Sequence, residues 1–272
     1  MEIWMPISLD DVTNYALQLD EAERTRVPIR QISATHADMT LDDGYAIQKA
    51  WVDIKLGRGR TIIGHKIGLT SRAMQKSSNI TEPDYGALLD DMLFADGDPI
   101  PLDRFIEPRI EVELAFFLKR PLAGPEVTLA DVLDATDYVR PALELIDMRI
   151  DRVDAQTGRT RKAFDTIADN AANAGIILGK DKFAPSSFDL RRVGAWIERN
   201  GIIEESGVSA AVLGHPAIGI AWLANKLAPH GIQLEPGQII LCGSFTAPLG
   251  GVRGDNFIVD YGALGTISTR FE

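Results

Sequence analysis

The chain has 272 residues, 45% of them hydrophobic and 25% charged, the balance of a globular protein, which argues against disordered and fibrous classes. A formal net charge of −11 argues against nucleic acid or an anionic membrane as partner, while an anionic small molecule stays admissible where a metal or one arginine inverts the local field. The single cysteine, Cys242, excludes an intramolecular disulfide framework and a multi-cysteine zinc site.

Met1 to Pro6 lack the basic and long apolar regions of a signal peptide, and no apolar run approaches the roughly 18 residues a bilayer span requires, so a soluble cytoplasmic protein is expected. Ser8 is placed to cap a helix in which Leu9, Val12, Ala16 and Leu19 recur near the helical period. A second helix is expected from Thr40, with Asp42 and Asp43 in its first turn and Ile47, Trp51 and Ile54 on its apolar face. Gly57 or Gly59 would end it. Beyond about residue 60 the pattern changes to short apolar runs broken by Gly, Pro and Asp, with strands expected at 61–68, 109–119, 141–147, 174–178, 238–242, 256–260 and 264–270. Two helices interrupt them, one from a Thr128 cap to about Tyr138 and one from Pro216 to about Leu227. So many strands with so few helices indicate an α+β protein built on a large, mixed, folded-over sheet. Residues 149–163, rich in Arg, Asp and Thr, read as a long loop.

The most informative segment is Arg109-Ile110-Glu111-Val112-Glu113-Leu114-Ala115-Phe116-Phe117-Leu118. Side chains alternate along a strand, so Ile110, Val112, Leu114, Phe116 and Leu118 form one apolar face, and Glu111 and Glu113 share the other with Ala115 and Phe117. A solvated outer face is the common fate of such a glutamate pair. Ala115 and Phe117 make a wet face less natural here, and two converging carboxylates repel unless a cation or a shared proton compensates. A third carboxylate, Glu144, lies in the apolar run Pro141-Ala142-Leu143-Glu144-Leu145-Ile146-Asp147 and must find a partner or a metal. Three carboxylates without a soft ligand would select Mg²⁺, Mn²⁺ or Ca²⁺.

These residues stand among motifs that run through most of the chain: Gly64-His65-Lys66-Ile67-Gly68-Leu69-Thr70, Glu82-Pro83-Asp84-Tyr85-Gly86, Pro108 to Glu113, and Pro141 to Asp147. Phe164-Asp165-Thr166-Ile167-Ala168-Asp169-Asn170, Leu213-Gly214-His215-Pro216 and Gly237-Gln238-Ile239-Ile240-Leu241 complete the set. Together they resemble the fumarylacetoacetate hydrolase superfamily, in its hydratase and decarboxylase branch. The resemblance implies a small N-terminal α/β region, residues 1–75, and a C-terminal β-roll catalytic domain, residues 76–272. It implies that Glu111, Glu113 and Glu144 hold one Mg²⁺ or Mn²⁺, and that the protein is a homo-oligomer. The implied reaction adds water to an unsaturated 2-oxo dicarboxylate, 2-oxo-hept-4-ene-1,7-dioate, in aromatic catabolism. Decarboxylation of 4-oxalocrotonate and hydration of the shorter 2-hydroxypenta-2,4-dienoate are its rivals.

Within that resemblance Lys66 is the first candidate for proton transfer, as base, acid or carboxylate clamp. Asp84 matches the position that orients or activates the added water, although an Asp there can also simply order a turn. Arg161, Lys162 and Arg72 are candidates to meet the far carboxylate of a diacid, against the commoner reading of solvated charges. Asp165, Asp169 and Asn170 fit either turn-fixing or support of the metal site. His215 is read as a helix cap and Cys242 as a buried inert thiol.

Overall fold

The computed structural model describes residues 7–272, so the reading of Met1 to Pro6 lies outside it. Its helices are α1 (Leu9–Thr25), α2 (Leu41–Gly57), α3 (Arg72–Ser77), α4 (Leu129–Ala135), α5 (Ala163–Ala168) and α6 (Pro216–Leu227). The strands run β1 (Ile62–Gly68), β2 (Asp84–Leu89), β3 (Leu93–Phe94), β4 (Pro99–Ile100), β5 (Arg109–Leu118), β6 (Thr136–Ile146) and β7 (Asn173–Leu178). They continue with β8 (Gly194–Arg199), β9 (Ile202–Val208), β10 (Ile239–Leu241), β11 (Leu249–Gly250), β12 (Asn256–Asp260) and β13 (Thr266–Phe271).

Both N-terminal helices start where their caps place them. The Ser8 side chain accepts from Asp11 N–H, and Thr40 forms a capping box with Asp43, whose carboxylate returns to the Thr40 amide at 2.8 Å. Val12, Ala16 and Leu19 of α1 meet Ile47, Trp51 and Val52 of α2, and this second core closes over Ala87, Leu89 and Ala168. The α-helical region is thereby docked on β2 and α5.

The strands form two sheets. One is ordered β2-β1-β10-β5-β6-β7-β3 with β11 attached to β5, and the other β4-β13-β12-β8-β9. All seven expected strands are present, and the class is the α+β mixed architecture read from the sequence. On β5 the alternation divides as expected: Ile110, Val112, Leu114, Phe116 and Leu118 share one core with Ile197, Phe257, Val259, Ile267 and Phe271 of the second sheet. Ala115 and Phe117 face the other way, beside Ala142, Ile176 and Leu241. The parallel pairing of β1 with β10 sets Lys66 opposite Leu241, which places the segment after α2 inside the large sheet, between β2 and β10.

Some expectations need correction. The helix capped by Thr128 ends at Ala135, and β6 begins at once with Thr136, five residues before the expected strand. Thr136, Tyr138 and Val139 suit a pleated surface, and β5 pairs them along its whole length, from Arg109 opposite Ile146 to Leu118 opposite Thr136. The short helices α3 and α5 and the strands β2, β8 and β9 were not expected. The β8–β9 hairpin turns on Asn200-Gly201, both with positive φ, which is the usual chemistry of a tight hairpin.

One glycine is decisive for this architecture. A Cβ on Gly64 would stand 1.8 Å from the carbonyl oxygen of Ile239, so β1 and β10 can approach only because residue 64 has no side chain. Gly64→Ala is therefore expected to destabilise the protein by on the order of 3 kcal/mol, the upper range for overpacking, because backbone rather than a flexible side chain must yield. A urea midpoint equal to that of the parent protein would refute this account.

Candidate metal centre

Glu111 and Glu144 stand directly opposite each other across the β5–β6 ladder, and Glu113 lies opposite Ala142. A like-charged cross-strand pair is unfavourable by itself. Here the apolar faces of both strands fix the register, so the three carboxylates converge: one oxygen of each lies within 4.8 Å of the others, and all three residues are buried. Glu113 Oε2 accepts from Gly243 N–H at 2.8 Å, and Glu144 Oε1 accepts from Asn173 Nδ2 at 2.8 Å. Glu113 Oε1 and Glu144 Oε2 have no hydrogen-bond partner. Buried, unpartnered carboxylate oxygens aimed at a common point, with no nitrogen or sulfur ligand among them, fit a hard divalent cation.

Lys66 and Asp84 complete the cluster. Lys66 is buried, with Nζ 3.3 Å from Glu144 Oε1 and donating to the Ala171 carbonyl at 2.9 Å. Asp84 opens β2 opposite Gly68, the end of β1, and its Oδ1 has no partner. A Cβ on Gly68 would lie 2.3 Å from Asp84 Oδ1 and 3.0 Å from Lys66 Nζ, so the bare Cα of Gly68 makes room for both charges. Asp84 thus starts a strand rather than ordering a turn.

Four carboxylates face one ammonium, and the protonation equilibria respond. Burial, then repulsion from Glu144, pushes the Glu111 carboxyl up to about 8, with Lys66 opposing. Burial, then repulsion from Glu144 and Glu111, holds Glu113 well above the ordinary range, with Lys66 again opposing. Asp84 is pushed up to about 6, chiefly by burial and against the attraction of Lys66. For Lys66, burial works downward, but Glu144, Asp84, Glu111 and Glu113 together outweigh it and leave its pKa raised. The neighbouring His65 is buried, which lowers its imidazole to about 4.

The lysine is seated by an unusual piece of backbone. Asn170, Ala171 and Ala172 all have positive φ, at 52°, 49° and 64°. Left-handed backbone costs about 1–2 kcal/mol for a residue with a Cβ. The Asn170 side chain bonds both N–H and C=O of Ala87 at 2.8 and 2.9 Å, which fastens the turn to β2. Asp165 ties α5 to the Ser33 amide and hydroxyl at 2.9 and 2.6 Å. Both residues thus bond backbone, the first of their two readings.

The three outlying cations are placed differently. Arg161 is largely buried, 3.4 Å from Asp169 Oδ2. Lys162 is exposed, its Nζ 5.2 Å from the Phe164 ring centre and 3.5 Å from the Ala37 carbonyl. Arg72 is exposed at the start of α3. His215 caps α6, its Nδ1 accepting from Ala217 N–H at 3.1 Å, and Cys242 is buried with its thiol pKa raised by burial. Sequence reasoning missed Asn173, the Gly243 amide and Arg149. Asn173 had a signal, since an amide side chain at the start of an apolar strand needs a partner.

Residues 57–272 match the family described as fumarylacetoacetate (FAA) hydrolase C-terminal, and the chain belongs to the fumarylacetoacetate hydrolase family. Within that family it is 62% identical over 259 residues to the 2-oxo-hept-4-ene-1,7-dioate hydratase of Escherichia coli, covering 95% of this chain and 97% of that one. It is 38% identical to the 2-hydroxyhexa-2,4-dienoate hydratase of Comamonas testosteroni, covering 93% and 95%. The solved structure of 4-oxalocrotonate decarboxylase from Pseudomonas putida G7, complexed with magnesium and adipate, superposes with a TM-score of 0.92 at 35% identity, over 98% of this chain and 99% of that one. The family read from the motifs is the family found.

A hard divalent cation should stabilise the protein, because it relieves repulsion present only in the fold. At 100 times its dissociation constant, Mg²⁺ or Mn²⁺ is expected to add about 2.7 kcal/mol, seen as a raised Tm. Glu113→Gln, which keeps the shape and the acceptor for Gly243 but removes one charge, should abolish most of that gain. An identical Tm with EDTA and with excess Mn²⁺ would count against a metal centre here.

Proposed function

We propose that this enzyme hydrates 2-oxo-hept-4-ene-1,7-dioate to 4-hydroxy-2-oxoheptanedioate, with Glu111, Glu113 and Glu144 holding Mg²⁺ or Mn²⁺. The observation that carries the reading is the buried three-carboxylate cluster with Lys66 and Asp84 beside it, in a chain 62% identical to a hydratase of that substrate. When bound, the cation supplies Lewis-acid stabilisation of negative charge on the 2-oxo oxygen.

The chain's own residues then divide the proton work. A proton leaves C3, C5 is protonated to bring the double bond into conjugation, water adds at C4, and C3 is reprotonated, so one water is gained overall. Lys66, 3.3 Å from Glu144 and bonded to the Ala171 carbonyl, is placed to serve as proton donor and clamp. Asp84, pushed up to about 6, is poised to take and return a proton near neutral pH and to orient the added water. Arg161 receives the far carboxylate. Burial lowers its pKa against the pull of Asp169 and Asp165, so its environment favours a further anion. Its bond to Asp169 is long at 3.4 Å, which makes exchange for a substrate carboxylate inexpensive. Lys162 and Arg72, both exposed, would reach the diacid only from the rim.

Kinship with metabolic enzymes supports a cytoplasmic setting. Assembly into a homo-oligomer is supported by the edge strand β9, which leaves Ile202, Ile203 and Val208 exposed. No helix among the described residues is long and apolar enough to cross a membrane.

The deciding experiment incubates EDTA-treated protein with the seven-carbon diacid, with and without Mg²⁺, following enone absorbance and product mass. A metal-dependent gain of one water is expected. Loss of carbon dioxide from 4-oxalocrotonate, or turnover of the five-carbon dienoate alone, would replace this assignment with one of the sister activities. Arg161→Ala should raise KM for the diacid about tenfold or more while changing KM for the five-carbon monoacid little. Equal effects on both would remove Arg161 from the distal subsite.

A further inference from the structure

Arg149 is absent from the chemistry just described, yet its side chain is nearly fully buried and makes more polar contacts than any residue in the metal cluster. Its Nε donates to Asp169 Oδ1, and its own amide donates to Asp169 Oδ2 at 2.9 Å. Nη2 donates to two carbonyls, that of Asp169 at 2.9 Å and that of Asn173 at 2.8 Å. These two carbonyls bracket the three left-handed residues Asn170, Ala171 and Ala172. The other side of the guanidinium lies 5.0 Å from the Trp51 ring centre, and Nη1 is 3.7 Å from Glu23 Oε2, so α1 and α2 fix the arginine from behind.

The turn that Arg149 brackets has two outputs. The Ala171 carbonyl accepts from Lys66 Nζ at 2.9 Å, and Asn173 Nδ2 donates to Glu144 Oε1 at 2.8 Å. Lys66 and Glu144 are themselves 3.3 Å apart. We propose that Arg149 is a positioning residue: by joining the carbonyls on either side of the left-handed turn it holds the turn closed, and the closed turn sets both Lys66 and Glu144. The consequences for turnover rest on the hydratase reading; the mechanical coupling does not. A lysine cannot substitute, because a single ammonium lacks the planar fork that reaches one carboxylate and two carbonyls together. The N-terminal helices thus contribute to the site indirectly, by supplying the wall against which the guanidinium rests.

The test uses Arg149→Lys, Arg149→Ala and the milder Asp169→Asn, each beside the wild-type protein. Hydrogen exchange of peptides spanning 169–174 reads the turn itself, and Mn²⁺ affinity by electron paramagnetic resonance reads Glu144. The expected result is lost protection confined to that segment, a Kd for Mn²⁺ raised at least fivefold, and kcat lowered 10- to 100-fold, the usual size for a group supporting a metal ligand. Arg149 lines a small polar cavity with Glu23, Lys55 and Asp147, which gives free guanidinium room to bind. Millimolar guanidinium should therefore restore kcat in Arg149→Ala, and methylammonium should not, a distinction that a general loss of stability would not produce. Should neither Arg149 variant fold, Asp169→Asn decides by the same three readouts in weaker form. Unchanged protection at 169–174, or Mn²⁺ affinity and kcat within twofold of wild type in a folded variant, would overturn the proposal. A wild-type protein that fails to hydrate the diacid would sink the functional assignment instead, while hydrogen exchange would still judge Arg149.

Discussion

The crowding of Glu111, Glu113, Glu144 and Asp84 around one buried ammonium is the constraint to which the rest of the molecule answers. Each charge taken from water is costly, and like charges in one buried site raise one another's pKa. Such a cluster survives only if the scaffold over-determines it. The β5–β6 ladder does so, because a slip of one residue would turn both glutamates of β5 into the apolar core and expel Val112 and Leu114 from it. Core and site are therefore one alternation read from two faces. Burying the apolar face of β5 holds the carboxylates together against their repulsion.

That coupling explains why this part was legible in the sequence. Alternation of period two is local, and Arg109 to Leu114 carries it without interruption before an apolar run to Leu118, so the strand, its faces and the convergence of Glu111 and Glu113 are legible directly. Helix caps are local too, and Ser8, Thr40, Thr128 and Pro216 all mark real starts. The rest depends on distant pairing. Thr136 to Tyr138 fall in the helix expected from Thr128 because the helical stretch to Ala135 runs straight into them and their own β preference is a weak signal; pairing with β5 decides it. β2 has Pro83 just before it and Gly86 within it, both turn signals. It is a strand because β1 pairs with it and Asn170 bonds Ala87 on its backbone. Arg149 was invisible for the same reason, since in sequence it opens a polar loop and only the fold buries it.

Ion pairs in this molecule also separate by function once burial is considered. The exposed pairs, such as Lys49 with Asp53 at 2.6 Å, lie in water and contribute a few tenths of a kcal/mol at most. The buried ones are tied to a fixed neutral donor as well as to charge. Glu144 takes Asn173 as well as Lys66, and Asp169 takes an amide as well as two arginines. Buried charges whose remaining lone pairs are satisfied by fixed donors gain geometric specificity rather than net stability. The oxygens of the cluster left without donors, Glu113 Oε1, Glu144 Oε2 and Asp84 Oδ1, mark where that satisfaction stops, and a cation held by the glutamates would complete it.

Arg149 and Arg161 share the Asp169 carboxylate, and they share it unequally. Arg149 holds the close contacts, to Oδ1 through Nε and to Oδ2 through its amide, while Arg161 reaches Oδ2 only at 3.4 Å. Asp169 is thus satisfied without Arg161, and drawing Arg161 toward a ligand leaves no buried carboxylate stranded. The reverse exchange would cost far more, because Arg149 also holds the Asp169 and Asn173 carbonyls and so the turn beneath Lys66. The residue at 161 can therefore change while the turn beneath Lys66 stays in place. This arrangement suits a family whose relatives here include both hydratases and a decarboxylase.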